Sequence, residues 1–370
     1  GIRRAADRRT TQPRRDSMAA PSRRRSVLRL GVLLALFAVL VAVSATAVQA
    51  KRQAGYVIGV SNTLVGNGWR ENMICSIKAQ ALASGKISKV IVSNRNTDTA
   101  GQVSDVRNLI SAGANAIIVN PSSTTAFKSV VAQAKARGVK VIFVDQYVPD
   151  PNAWNATNDQ EAYGYLGAKW LFKTLGGKGN VVEMRGIAGV PADTDRHKGF
   201  QRALEEYPGI KVVKSVFTNW TPATGGKQAL DLLNSSIKID GIWTSGIDVS
   251  VVNAFKTAHK PLVPIVGADN NGFLAAQLKN KGWRAAAVTN PATIGAVGVA
   301  MAVKLLDGGS VPKWVKLTPQ VWDNGTAAGR KEILANYSAK RSPYDSARVQ
   351  IKPWTTYTKQ QYFACKGPGE

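Results

Sequence analysis

Carboxylate, guanidinium, amide and indole groups follow the ends of several short apolar runs in this sequence. Asp145 and Asp269 end the runs KVIFVD and PIVGAD, and Arg196 follows KGNVVEM within the segment GIAGVPADTDRHKGF. A sugar hydroxyl both donates and accepts, so carboxylates can accept its proton while arginine and amide N–H groups bond its lone pairs. Indole planes such as those of Trp69 and Trp220 can pack against the apolar C–H faces of a sugar ring. These residue types therefore predict a site for a polyhydroxylated small molecule.

Twelve residues are candidates for ligand binding. They are Asn67, Trp69, Arg70, Asp145, Gln146, Arg196, Trp220, Asp248, Asp269, Asn270, Thr289 and Asn290. Each has a second interpretation: Asp248 and Asp195 could cap helices, Arg196 could pair with Asp193 or Asp195 on a solvated turn, and the tryptophans could belong to a core. Their shared position at the carboxyl ends of strands favours ligand contact, because open parallel sheets bind ligands there.

Histidine and cysteine are too scarce for several kinds of active site. His197 and His259 are the only histidines, which leaves almost no material for a Ser-His-Asp triad or a histidine-rich metal site. Cys75 and Cys365 are the only cysteines, so we expect no metal cluster. Because the sequence also has no phosphate loop and no Gly-x-Gly-x-x-Gly motif, we expect no cofactor. In an oxidising compartment these two could form a disulfide that ties the C-terminal tail to the first helix, or they could remain unpaired thiols.

From Gly55 onward, apolar runs alternate with segments of helical period. The predicted strands are YVIGVS, KVIVS, AIIVN, KVIFVD, NVVEMR, KVVKSVF, DGIWTS and PIVGAD, and residues 285–307 add a strand and a helix. This alternation predicts an α/β fold with two doubly wound parallel sheets, and the chain is expected to pass between them near residues 150–158. The segment from about residue 310, which contains five prolines, predicts an irregular tail or one of short elements.

The first 50 residues have the pattern of an export signal. Arg23, Arg24, Arg25 and Arg29 precede the uncharged run LGVLLALFAVLVAVSATAV, whose Val-Gln-Ala ending predicts cleavage before Lys51. The run is also long enough for an uncleaved anchor, and RRSVLR fits a twin-arginine signal as well as an ordinary one.

The formal net charge of +26 is dispersed, which favours a solvated surface over a nucleic-acid partner. Because of the export signal, we expect a periplasmic protein.

Over about residues 54–310 the chain resembles the periplasmic sugar-binding proteins of ribose-type ABC transporters, which have a two-lobed type I fold. The segments GVSNTLVGNGWRENM, VIFVDQ, GIAGVPADTDRHKGF, PIVGADNN and AVTNPATIGAVGV carry the resemblance. It implies that residues such as Asn67, Trp69 and Asp145 contact the ligand. It also implies that Arg196, three residues before Gly-Phe, points into the cleft and is oriented by neighbouring acids.

Two positions depart from the family pattern. Thr289 stands where glutamine is usual, and Gly246-Ile247-Asp248 stands where Asn-Asp is common after the corresponding strand. Both departures bear on which sugar is bound.

The resemblance also implies an organisation and a function. The expected divisions are an upstream segment and export signal at 1–50, an N-terminal lobe at 54–157 plus 290–310, a C-terminal lobe at 158–289 and a C-terminal extension at 311–370. Hinges between the lobes are expected near 157–158, 289–290 and 310–316. A monomer of this kind closes its lobes over one monosaccharide and delivers it to an ABC transporter permease, without chemistry on the sugar.

Three alternatives remain beside this interpretation. A sugar or signal receptor for chemotaxis would have the same fold. A regulator of the lactose-repressor type would need an N-terminal helix-turn-helix, but the export signal stands in that place. An exported sugar-active enzyme could use Asp145 and Asp269 as acid and base.

Overall fold

Strands and helices alternate along the whole part of the chain that the computed structural model describes, residues 55–370. The predicted export signal in residues 1–50 lies outside the described residues. Within residues 55–370 no helix is both long enough and apolar enough to cross a membrane.

One lobe is built on a six-stranded sheet in which every neighbouring pair of strands is parallel. Its strands are β1 (Tyr56–Asn62), β2 (Ile87–Asn94), β3 (Ala116–Val119), β4 (Lys140–Asp145), β5 (Trp154–Asn158) and β11 (Trp314–Leu317), in the order β11-β5-β4-β3-β1-β2. Its helices are α1 (Gly68–Ser84), α2 (Thr99–Ser111), α3 (Lys128–Ala136), α9 (Ile294–Leu306) and α11 (Lys359–Ala364). We call this unit the first lobe.

The second lobe repeats the plan with another six-stranded sheet. Its strands are β6 (Lys178–Arg185), β7 (Gly209–Phe217), β8 (Gly241–Thr244), β9 (Ile265–Ala268), β10 (Ala285–Val288) and β12 (Val321–Asp323), in the order β12-β10-β9-β8-β6-β7. Its helices are α4 (Gln160–Thr174), α5 (Pro191–Glu205), α6 (Pro222–Asn234), α7 (Asp248–Thr257), α8 (Asn271–Lys279) and α10 (Ala327–Asn336). Only β12 runs antiparallel to its neighbour. The prediction of two parallel α/β sheets is confirmed.

The central strands are buried on both faces, which is why they are continuous apolar runs. In the first sheet, Ile118 and Ile142 face a core that α1 and α9 complete. Ile117 and Phe143, one residue along each strand, face the opposite core under α2 and α3. Helices therefore cover both faces of the sheet, and its strand ends remain as the place where loops can form a site.

Three strands that the sequence analysis did not predict, β5, β11 and β12, lie beside the passages between the lobes. β5 has the sequence WNATN, whose polar residues Asn155, Thr157 and Asn158 are buried, so no apolar run reveals it. β11 is an edge strand that is only half-buried on alternate residues. Because β11 belongs to the first sheet and β12 to the second, the third passage lies at residues 318–320, and its prediction at 310–316 was wrong.

The tail after residue 310 is tied into both lobes. It contributes β11 to the first sheet, β12 and α10 to the second lobe, and then returns to pack α11 on α1. Cys75 in α1 and Cys365 after α11 form a disulfide, with their Cα atoms 4.4 Å apart. Of the two alternatives left open by the sequence, the disulfide is the one observed.

Candidate functional site

Ten of the twelve candidate residues line one cavity between the two lobes. The ten are Asn67, Trp69, Arg70, Asp145, Gln146, Arg196, Trp220, Asp269, Asn270 and Asn290. The cavity encloses about 850 Å³, including its opening to solvent. Asp248 and Thr289 do not belong to its wall.

Asp145 is turned into the cavity by the backbone at the end of β4. Its φ of 72° lies in the left-handed region, which is uncommon for a residue other than glycine and recurs at functional sites. One carboxylate oxygen accepts from Gln160 Nε2 at 2.7 Å and from Asn158 Nδ2 at 3.0 Å. Burial raises the pKa of Asp145, and the positive charge of Arg196 opposes that rise.

Arg196 reaches the cavity from α5 of the second lobe and is almost fully buried. Its Nε donates to Gln160 Oε1 at 2.8 Å, and its Nη1 donates to the carbonyl and hydroxyl oxygens of Ser245 at 2.9 and 3.0 Å. The guanidinium carbon lies 4.2 Å from the centroid of the Tyr163 ring. Three neighbours therefore fix the guanidinium, and the solvated ion pair considered for Arg196 is excluded.

The acids next to Arg196 do not orient it, so that part of the sequence interpretation was wrong. Asp193 turns back from the first turn of α5 and accepts from Arg185 Nη2 at 2.6 Å and from Gly186 N at 2.7 Å. Asp195 is exposed. Asp193 is used instead to hold the loop that connects β6 to α5.

Close packing of α4 against α5 brings Gln160 and Arg196 together. A Cβ atom on Gly164 would overlap the carbonyl oxygen of Arg196, and a Cβ atom on Gly199 would overlap the carbonyl oxygen of Glu161. The two helix backbones thus touch at glycines, an approach that any side chain would prevent.

Asp269 presents a carboxylate oxygen that the protein leaves without a partner. It follows β9, and its Oδ1 accepts from Asn290 N at 3.1 Å. Its Oδ2 is buried and has no hydrogen-bond partner among residues 55–370. Burial raises the pKa of Asp269 to about 6. Because an unpaired buried acceptor is costly, Oδ2 is poised to accept a hydrogen bond from a ligand in the cavity.

Asp248 lies behind the cavity wall and cross-links strands. Its Oδ1 accepts from Thr244 Oγ1 at 3.0 Å and from Ala268 N at 3.1 Å, and its Oδ2 accepts from Asn270 Nδ2. Burial raises its pKa to about 7. Its carboxylate is therefore occupied within the protein.

The two candidate tryptophans face the cavity from opposite lobes. Trp69 belongs to α1, and its Nε1 donates to the carbonyl of Asn290 at 2.6 Å. Trp220 precedes α6 with a φ of 48°, and its ring covers Gly186, where a Cβ atom would overlap the indole. Trp220 Nε1 donates to the Ser245 carbonyl at 2.9 Å. Both indole N–H groups are satisfied by the protein, which leaves the ring surfaces for apolar contact.

Arg70 and Asn67 lie at the N-terminus of α1. Arg70 Nη1 donates to Asn62 Oδ1 at 2.7 Å, and burial lowers the pKa of Arg70 to about 10, against the opposing charge of Asp145. Asn67 caps α1, since its Oδ1 accepts from Arg70 N at 3.1 Å, and its Nδ2 donates across the cleft to the Trp220 carbonyl at 2.9 Å. Asn67 therefore stabilises the helix and the contact between lobes.

Other candidates also hold the lobes together. Gln146 Oε1, in the first lobe, accepts from Ala192 N in the second at 3.0 Å. Thr289 N donates to the Gln320 carbonyl at 2.9 Å, and Gln320 N donates to Thr289 Oγ1 at 2.8 Å. These two bonds join two of the passages between the lobes. The next residue is Asn290, and one atom of its side-chain amide group lies 3.0 Å from Arg196 Nη2. The lobes are thus in contact across the cleft.

Several wall residues carry no signal in the sequence. Ser245 follows β8 and fixes Arg196, whereas Tyr344 and Ser346 come from the C-terminal tail. Gln160 lies behind the wall and bonds both Asp145 and Arg196. Ser245 follows a predicted strand and so shares the position of the selected candidates. Gln160 follows β5, which was not predicted, and the sequence did not place the tail beside the cavity. Among residues 55–370, no cluster of three or more His, Cys, Asp or Glu side chains is arranged to hold a metal ion.

Comparison with known proteins identifies the family. The periplasmic binding protein domain matches residues 58–310, well over half of the chain. The chain belongs to this family. The structure agrees, because an ABC transporter solute binding protein from Thermobispora bispora superposes with a TM-score of 0.71 at 28% identity, over 84% of this chain and 94% of the other. The predicted type I periplasmic binding protein fold is confirmed.

Two sequence relatives give the context of this periplasmic binding protein. A xylitol-binding protein of Mycolicibacterium smegmatis is 30% identical over 227 residues, which make up 60% of this chain and 65% of that protein, just under two thirds of its length. A ribose import binding protein of Bacillus subtilis is 24% identical over 263 residues, 70% of this chain and 85% of the other.

Proposed function

We propose that this periplasmic binding protein captures one neutral monosaccharide or related polyol between its lobes and delivers it to the permease of an ABC importer. The observation that carries the proposal is the buried Oδ2 of Asp269, an acceptor without a partner among the described residues, in a cavity wall shared by both lobes. A ligand hydroxyl supplies the missing donor.

The charges of the cavity wall favour a neutral ligand. Two carboxylates, Asp145 and Asp269, stand with two guanidinium groups, Arg70 and Arg196, so the formal charges of these four groups cancel. A charged ligand would leave one of these buried groups without compensation. A polyol offers donors to the carboxylates and acceptors to the arginines while remaining neutral.

The contacts between lobes support a closing mechanism. Opening the cleft would break the bonds from Asn67 Nδ2 to the Trp220 carbonyl and from Ala192 N to Gln146 Oε1. Each such bond contributes about 0.5–1.5 kcal/mol net, so neither alone holds the protein closed. A ligand that touches both lobes adds contacts only in the closed form and shifts the population toward it. Closure then creates the composite surface that the permease recognises.

The relatives favour binding over catalysis, since the two named above bind xylitol and import ribose. The carboxylates of Asp145 and Asp269 act here as hydroxyl acceptors, with no bond of the sugar broken. We further propose a monomer that is exported by the signal in residues 1–50, by the general or the twin-arginine route, and that contacts the membrane through the permease alone.

Calorimetric titration with xylitol, D-ribose, D-galactose and myo-inositol tests the proposal. At least one should bind with a single site, and at 100 times its dissociation constant it should raise the free energy of unfolding by about 2.7 kcal/mol. Asp269→Asn keeps the shape of the side chain but removes the charged acceptor, so affinity should fall about ten- to hundredfold.

Asp231→Asn is the matched control, because Asp231 lies exposed on α6 and pairs with Lys227. It should leave affinity unchanged. The proposal fails if none of the sugars and polyols binds, or if Asp269→Asn binds as tightly as the control.

A further inference from the structure

A segment of the tail crosses from the second lobe to the first beside the cavity. We call residues 338–347 the strap. On its N-terminal side, α10 packs on β12 and α8, with Ile333 in the core of the second lobe. On its C-terminal side, Ile351 lies in the core of the first lobe and the disulfide fixes Cys365 to α1. The strap therefore makes a fourth connection between the lobes within residues 55–370.

The second lobe holds the strap at the N-terminus of α8. The amides of Asn271 and Gly272, in the first turn of this helix, donate to the carbonyls of Asp345 and Pro343 at 2.8 and 2.9 Å. First-turn amides have no partner within their own helix, so the strap supplies acceptors that α8 lacks. Ala347 N donates to the Asp269 carbonyl at 2.7 Å, which places the strap directly beside the candidate site.

The first lobe holds the same segment at the N-terminus of α1. Asn72 Nδ2 donates to Asp345 Oδ1 at 3.1 Å, and Ser346 N donates to Asn72 Oδ1 at 2.9 Å. A Cβ atom on Gly68 would lie 2.5 Å from the Tyr344 carbonyl oxygen and 2.9 Å from its Cβ. The strap backbone thus lies against the start of the helix that carries Trp69.

Two strap side chains form part of the cavity wall. Ser346 is buried, and its Oγ accepts from Ala292 N at 3.3 Å, which leaves its hydroxyl hydrogen available to another acceptor. Tyr344 is 41% exposed and also lines the cavity, so it stands where the cavity meets solvent. An aromatic ring at this position limits the space for a substituent that extends out of the cavity.

We propose that Tyr344 and Ser346 are ligand-contacting residues supplied by the strap, and that Tyr344 restricts the size of the ligand that the cavity accepts. This inference rests on the proposed function, because it concerns the selectivity of the same cavity. Ser346 contacts a ligand hydroxyl, whereas the Tyr344 ring covers one face of the ligand and excludes a second sugar unit.

The test compares affinity for the tightest of the four compounds with affinity for the disaccharides maltose and lactose. Tyr344→Ala should weaken binding of the small ligand about tenfold, as expected for loss of an aromatic contact, and should lower the preference over disaccharides by a similar factor. Tyr344→Phe should retain both values within about threefold, because it keeps the ring. Ser346→Ala should weaken binding of the small ligand without changing the preference for it over disaccharides.

Two further variants complete the test. Tyr147→Ala is the matched control, since Tyr147 is also 41% exposed but lies outside the cavity wall, and it should bind as the unmodified protein does. Gly68→Ala displaces the strap without altering its side chains and should reproduce the loss of size preference. Melting temperatures of all variants report whether they fold.

If Tyr344→Ala and Ser346→Ala both have the same affinity and size preference as Tyr147→Ala, this inference is overturned and the proposed function still stands. An unmodified protein that binds no sugar or polyol would instead overturn the proposed function, and this inference with it.

Discussion

Replacing both cysteines by serine removes a covalent link that encloses most of the described chain. Cys75 and Cys365 are 290 positions apart, so the disulfide closes a very long loop in the unfolded state. The chain-entropy relation for a loop of that length gives about 5–6 kcal/mol at 25 °C, and we expect Cys75→Ser with Cys365→Ser to lose about 2–6 kcal/mol of unfolding free energy. Ile351 and the Lys78–Glu370 ion pair still dock the tail, so the folded state should change little.

Guanidinium unfolding of the oxidised protein, the reduced protein and the double-serine variant measures this effect. The last two should unfold at the same, lower midpoint, because both lack only the covalent link. A double-serine midpoint equal to that of the oxidised protein would refute the argument that the disulfide acts on the unfolded chain. A midpoint that differs between the reduced protein and the variant would refute the claim that the serine substitutions are otherwise neutral.

Three further predictions concern the site. The folded-state pKa of Asp269 is raised to about 6, so its contribution to the stability of the ligand-free protein falls as pH rises from about 4 through 6. Ligand affinity, which needs the carboxylate, should fall about fivefold between pH 6 and 5 and about tenfold between pH 7.5 and 5. Ligand titrations at pH 5, 6 and 7.5 measure this loss of affinity, and the same dependence of affinity on pH in Asp269→Asn would contradict the prediction. Gly186→Ala should displace the Trp220 ring and weaken affinity about tenfold, whereas Gly226→Ala, whose nearest neighbour would be 3.7 Å away, should bind normally. Gly164→Ala should separate α4 from α5 and cost about 1–3 kcal/mol of stability by chemical denaturation, and an unchanged midpoint would contradict the close contact.

Strands that contain an apolar run could be predicted from the sequence, whereas the polar strand β5 and the short strands of the tail could not. β4 was predicted with its observed bounds because KVIFVD is buried throughout. β5 was missed because its buried side chains are mostly asparagine and threonine, and several of their partners lie far away in the chain: Asn158 Nδ2 donates to the Pro291 carbonyl, and Trp314 Nε1 donates to Thr157 Oγ1. Local composition contains no information on such partners.

In the candidate site, too, the positions of residues could be predicted from local sequence, whereas their contacts could not. Asp145, Arg196 and Asp269 could be selected because each follows a buried strand, and parallel strands direct these ends to one edge of the sheet. What orients them could not be read locally: Arg196 is fixed by Gln160 and Ser245 from other elements, not by the acids beside it in sequence. Tyr344 reaches the wall only through the tertiary path of the tail.

The central claim is that groups from both lobes together surround a polyhydroxylated ligand. A crystal structure of the protein with its tightest-binding sugar or polyol tests this most directly. Hydroxyl groups of the ligand should lie within hydrogen-bonding distance of Asp145, Arg196 and Asp269, with the ring or carbon chain between Trp69 and Trp220. A ligand bound on an outer surface, or one that touches a single lobe, would contradict the claim.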